Sequence, residues 1–89
     1  MKIRKERPDE AKLKSLGLED WNPWECEPSE FDWEYTDQET CYVREGRVKV
    51  TTPDGQVVEF GAGDLVTFPG GMKCRWKVEE TIRKVYRFG

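Results

Sequence analysis

The sequence predicts an all-β barrel preceded by one short N-terminal helix, on three observations. Between residues 30 and 88, short runs rich in β-branched and aromatic residues recur with alternating polarity, the period-two signature of strands buried on one face. Tight-turn residues separate them at Glu45-Gly46, Pro53-Asp54-Gly55, Gly61-Ala62-Gly63-Asp64 and Pro69-Gly70-Gly71. The third observation is size: 89 residues make a single domain, 1–89, with one core. Charged residues (37%) match apolar ones (36%), but four Trp, four Phe and three Tyr supply large units of buried area.

Residues 1–7 alternate basic and other side chains and read as an exposed edge strand or an arm. Pro8 and Asp9 open a short helix with Leu13 and Leu16 three apart, and Gly17 stands where a left-handed C-cap is wanted. Trp21-Asn22-Pro23-Trp24 then breaks the helix, because Pro23 disfavours helical backbone at Asn22, and the two Trp are expected to cover one end of the core. Seven strand runs follow: 30–35, 40–44, 47–52, 56–60, 65–68, 73–78 and 81–88. Pro53-Asp54-Gly55 is a hairpin turn with a mechanism, since proline presets φ and glycine accepts positive φ. Such spacing predicts a sandwich or barrel.

Alternate residues of a strand point to opposite faces. Val48 and Val50 therefore face inward, and Cys74, Trp76 and Val78 share the interior while Lys73, Arg75 and Lys77 face water. Glu39, Cys41 and Val43 share one face by the same rule, so a carboxylate is expected to point into the core. Trp33 and Tyr35 are expected inside with Trp76, and Arg75, Lys77, Arg83, Lys84 and Arg87 form a solvated basic face.

The net charge of −3 hides a segmental pattern: residues 1–16 carry +3, residues 17–45 carry −9 and residues 46–89 carry +3. Such a balance lacks the basic surplus by which proteins displace counterions from phosphate, so no nucleic acid is expected as a partner. No apolar stretch approaches the roughly 20 residues of a membrane span, and the first residues lack the apolar run of a signal peptide. A cytoplasmic protein without membrane partners is expected. Cys26, Cys41 and Cys74 form no CxxC pair and are odd in number, which argues for reduced thiols.

Two motifs carry a family resemblance. Glu39-Thr-Cys-Tyr-Val-Arg-Glu-Gly46 has a Glu, six residues and a Gly; Gly63-Asp-Leu-Val-Thr-Phe-Pro69-Gly-Gly71-Met-Lys-Cys74 has a Gly, five residues, Pro-x-Gly, two residues and a ligand position. They resemble the two motifs of the cupin superfamily, which implies a double-stranded β-helix, the cupin jelly-roll barrel, around a side-chain-lined cavity. Cupin enzymes hold Mn, Fe, Zn or another divalent ion with two His ahead of the Glu and a third His in the second motif; the corresponding positions here are Trp33, Tyr35, Glu39 and Cys74. The chain has no histidine. Through Trp24-Glu25, Phe31-Asp32-Trp33, Glu39-Thr40-Cys41-Tyr42, Leu65 to Pro69 and Cys74 to Val78, it is most similar to compact cupins related to the ureidoglycine aminohydrolase cupin domain. That enzyme is a manganese protein releasing ammonia from a ureide, and its ligand set is not kept here.

The expected function is therefore binding of a small molecule in the barrel cavity, without the usual metal and with no cofactor. Trp33, Tyr35, Glu39, Cys41, Cys74 and Trp76 are the expected lining. Glu39 and Cys74 would be the ligands of any metal, since Trp cannot ligate and Tyr must first lose its proton. No catalytic residue is assigned. Burial of Glu39 would raise its pKa and make it a usable acid or base, while hydrogen bonding to Tyr35 or a backbone amide would make it an anchor. The rival readings are a metal-dependent cupin enzyme of ureide or nitrogen metabolism with a degenerate site, an oligonucleotide-binding barrel using Arg75-Trp76-Lys77, and a structural subunit, with a homodimer as partner state.

Overall fold

The computed structural model describes residues 2–89; Met1 of the expected arm lies outside the described residues. The elements are β1 (Arg4–Glu6), α1 (Glu10–Leu16), a 3-10 turn (Leu18–Asp20), β2 (Asn22–Cys26), β3 (Ser29–Glu34), β4 (Glu39–Thr51), β5 (Val57–Gly61), β6 (Leu65–Phe68) and β7 (Lys73–Phe88). Helix α1 begins and ends as expected: the Asp9 carboxylate accepts from the Lys12 N–H at 2.9 Å, and Gly17 closes it at φ 66°.

Two long strands organise the barrel. β4 and β7 pair antiparallel from Glu39 opposite Phe88 to Thr51 opposite Arg75, with bulges around Glu45 to Val48. On one side of that corner the order is β3, β7, β4, β5, and on the other it is β2, β7, β4, β6, β1. One continuous sheet thus folds over on itself as a jelly roll. The inner faces meet through Val43, Val48, Val50, Val66, Phe68, Trp76, Val78 and Ile82. Phe68 of β6 touches Phe60 of β5 and Trp76 of β7, each with ring centroids 5.9 Å apart. The all-β jelly roll with one short helix is as the sequence predicts.

Four local expectations are corrected. Glu45-Gly46 is no turn, so 40–44 and 47–52 are one strand; Gly46 (φ 97°) is the corner bulge, and a Cβ there would sit 2.7 Å from the Ile82 Cα. A glycine inside a strand pattern marks a bulge as readily as a turn. Runs 73–78 and 81–88 likewise join as β7. Asn22-Pro23-Trp24 does not merely break a helix: it opens β2, tolerated because β2 is an edge of the sheet. The two Trp also separate. Trp21 packs with Leu18, Leu65 and Val85 in a second cluster that Leu13 and Leu16 of α1 also join, while Trp24 meets Trp76 edge-on at 5.9 Å.

The arm pairs with its own chain, β1 lying antiparallel to β6. Arg7 anchors it, its Nε donating to Asp64 at 3.1 Å and its Nη2 to the Ala62 carbonyl at 2.6 Å. Asp64 also accepts from the Gly61 N–H at 2.8 Å and so closes the 61–64 turn. Asp64→Ala is expected to lower stability by about 1–3 kcal/mol, because a partly buried amide loses its acceptor and the arm one of its tethers. Denaturant unfolding measures it, and a change within about 0.5 kcal/mol, as at ordinary surface sites, would show the turn to be self-sufficient.

Candidate functional site

One end of the barrel holds an open cavity of about 110 Å³, lined by Trp24 of β2, Phe31 and Trp33 of β3, Tyr35, Glu39 of β4, and Trp76, Lys84, Tyr86 and Phe88 of β7. Strand alternation places them: 31, 33 and 35 point one way, as do 76, 84, 86 and 88. Its walls are aromatic and its polar end is an ion pair. Lys84 Nζ donates to Glu39 Oε2 at 2.9 Å, with Glu39 5% and Lys84 6% exposed. The ammonium also lies 4.7 Å from the Trp76 ring, 4.9 Å from that of Trp24 and 5.6 Å from that of Tyr86, a cation–π setting that partly replaces its lost water. Beside the pair, Trp76 Nε1 donates to the Tyr35 hydroxyl at 3.1 Å, and Tyr35 stacks on Phe68 with centroids 4.5 Å apart.

The expected inward carboxylate is thus present, but its partner is neither Tyr35 nor a backbone amide. It is Lys84, which the sequence reading assigned to the solvated basic face. Parity could have found it: Cys74, Trp76, Val78, Ile82 and Lys84 keep one phase along a single strand, a phase hidden when β7 is divided at 79–80. The other members of that basic face, Arg75, Lys77, Arg83 and Arg87, are exposed, and three of them meet a partner. Arg75 binds Glu30 at 2.6 Å and Asp32 at 2.9 Å, and it holds the Glu30 carboxyl below its ordinary pKa. Arg83 meets Glu25 at 2.9 Å and Glu45 at 3.4 Å, and the Arg87 guanidinium covers the Trp21 ring at 4.8 Å. The acidic stretch 17–45 thus supplies counter-charges for the basic final third.

Of the six expected lining residues, Trp33, Tyr35, Glu39 and Trp76 come together. Trp33 is not interior, however: it is 49% exposed and forms part of the rim. Cys41 and Cys74 do not line the cavity. Cys41 lies wholly within the core, and Cys74 borders a separate open groove with Asp32, Trp33, Thr52 and Lys73. Burial pushes both thiols up to about 11, and burial together with the Glu39 charge pushes the Tyr35 phenol up as well, so all three keep their protons at neutral pH.

That chemistry bears on the divalent ion held by cupin enzymes. Three of the four ligand positions carry a tryptophan, a protonated phenol and a protonated thiol, and the fourth, Glu39, is bonded to an ammonium. Among the described residues no group of three His, Cys, Asp or Glu side chains could hold a metal ion. The residues do not fit the metal. The thiols give a check: with a thiol reagent at pH 8, half-buried Cys26 is expected to react first, while Cys41 and Cys74 stay protected until the fold opens. Raising the pH towards 11 should raise the thiolate fraction of the buried pair. It should also lower stability, because the unfolded thiols release protons from about pH 9 that the native state still retains. Prompt labelling of Cys74 at pH 8 would contradict this.

Residues 13–86 match the EutQ-like cupin domain. The chain belongs to this cupin family. A DUF861 family protein from Thermotoga maritima is 52% identical with a TM-score of 0.97, the alignment covering 99% of this chain and 100% of that one. The EutQ protein of Clostridium difficile is 30% identical over 72% of this chain and 50% of its own length, with a TM-score of 0.66. A cupin-2 domain protein from Shewanella frigidimarina, at 20% identity, shares the fold over 92% of this cupin and 94% of its own length, with a TM-score of 0.60. No curated protein matches this chain. No helix among the described residues of this EutQ-like cupin is long and apolar enough to cross a membrane.

Proposed function

We propose that this EutQ-like cupin binds a small neutral molecule carrying a carbonyl group, in the cavity and without a metal ion. The observation that carries this reading is the buried Glu39–Lys84 pair at the polar end of an aromatic cavity. The pair is neutral as a unit. A charged ligand would be repelled by one member of the pair and attracted by the other, leaving little net Coulombic gain to offset the loss of its own hydration. A neutral carbonyl gives up far less hydration. Among the described residues Glu39 is the one hydrogen-bond acceptor of Lys84 Nζ, so N–H donors remain for a ligand, and the protonated Tyr35 hydroxyl is a further donor. At about 110 Å³ the cavity is smaller than the roughly 150 Å³ that accommodates the six carbons of benzene, which limits the buried part of a ligand to about four heavy atoms. The aromatic walls suit a flat body.

Tryptophan fluorescence and amide chemical shifts, followed during titration with propionamide, propylamine and propionate, test the reading. Propionamide is expected to bind, the two charged analogues at least about tenfold more weakly, and Lys84→Met to abolish the response. Equal or tighter binding of either charged analogue would overturn it, as would a stoichiometric transition metal found by elemental analysis of untagged protein. The kinship with ureidoglycine aminohydrolase cupins is supported only by the sequence motifs. With the residues at hand no manganese step is derived for this chain.

A further inference from the structure

We infer that Lys84 is a covalent site, at which the side-chain nitrogen condenses with a small aldehyde or ketone in the cavity to form a Schiff base, with Glu39 carrying the protons. The inference rests on the reading of this cavity as a carbonyl site and names the reaction it would support. Lysines recruited for Schiff-base chemistry are withdrawn from bulk water, and Lys84 is buried among aromatic rings yet lines a cavity that opens to solvent. The other seven lysines, residues 2, 5, 12, 14, 49, 73 and 77, are exposed or half-buried and line no part of this cavity.

The acceptor needed to free the amine is already in place. Glu39 Oε2 lies 2.9 Å from Nζ, within direct proton-transfer reach. Transfer of one proton along that hydrogen bond leaves a neutral amine beside a neutral carboxyl. The amine lone pair then forms the C–N bond to the carbonyl carbon while the carbonyl π electrons move to oxygen. A proton passes from nitrogen to that oxygen, giving a carbinolamine. Glu39 next protonates the hydroxyl, which leaves as water as the C=N bond forms. The ammonium and the carbonyl compound have become a protonated imine and one water, and the Glu39 carboxylate is restored as its counter-ion. No oxidant, reductant or metal enters the balance. The Tyr35 hydroxyl, on the same wall, can donate to the oxygen as negative charge develops there.

Limiting propionaldehyde with cyanoborohydride, followed by proteolysis and mass spectrometry, reads the reaction lysine by lysine. Lys84 is expected to acquire its propyl group at least about tenfold faster than any other lysine, a small part of what orientation in a site can supply. Propionamide should slow labelling of Lys84 alone, a test made on the unaltered chain that does not depend on any variant folding. In folded Glu39→Gln, labelling of Lys84 should fall at least about tenfold. Labelling of Lys84 no faster than that of the surface lysines would overturn the inference. If propionamide still binds in that case, only the covalent step falls; if propionamide fails to bind as well, the carbonyl reading falls with it.

Discussion

Lys84→Met or Glu39→Gln alone is expected to destabilise the barrel by about 3–5 kcal/mol, because each leaves the other as an uncompensated buried charge. Side chains with less than a tenth of their surface exposed have little solvent to screen what remains. The loss should lower the midpoint of thermal unfolding by about 4–8 °C per kcal/mol for a domain of this size. The double variant Glu39→Gln/Lys84→Met should recover most of it, since a buried pair exchanged for groups of similar volume is often neutral or stabilising. The recovery would appear in a double-mutant cycle as a large coupling energy. Single variants that each lose less than about 1 kcal/mol, with additive effects, would mean that the pair is hydrated as surface pairs are.

Trp76→Ala is expected to cost a similar amount, about 3–5 kcal/mol. Trp76 is 2% exposed and joins both halves of the barrel: its ring meets Phe31 at 6.1 Å, Phe60 at 5.6 Å, Phe68 at 5.9 Å and Trp24 at 5.9 Å. It also supplies a face for the Lys84 ammonium and a donor for Tyr35. Trp76→Phe separates these roles. It keeps most of the packing and an aromatic face but loses the Nε1 donor, so a loss of about 1–3 kcal/mol is expected there, mostly from leaving the Tyr35 hydroxyl without its partner. A phenylalanine variant as stable as the parent would show that the hydroxyl finds another partner. An alanine variant losing under about 1 kcal/mol would mean that the barrel closes over the gap.

The course of the barrel was readable in the sequence wherever turn chemistry was unambiguous. The 53–55 hairpin, with Gly55 at φ 91°, and the run 65–68 lie where they were expected, and so does α1. Glycine alone misled at position 46, where a bulge and a turn require the same residue type. Proline misled at position 23, because its missing N–H excludes a central strand but not an edge. The site was half visible. Glu39, Tyr35 and Trp76 followed from parity, but Lys84 sits in a stretch dense with positive charge, and only the unbroken phase of β7 distinguishes it from Arg83 and Arg87 beside it. Cys41 and Cys74 were inward as expected, yet inward in a barrel includes the filled core as well as the cavity, and alternation cannot distinguish the two.

β7 pairs with β2, β3 and β4 and supplies Trp76 and Lys84. On a ribosome, β2 to β6 would therefore emerge before the one strand that joins them. The nascent chain can form the hairpin of β4 and β5 early, but β3 has no backbone partner until residues 73–78, and β2 none until residues 82–86, have cleared the exit tunnel. Pairings this distant in sequence form slowly, and edges left open meanwhile are where chains associate wrongly. Closure of this cupin thus waits for β7, and the Glu39 carboxylate stays hydrated until Lys84 arrives to accompany it inside.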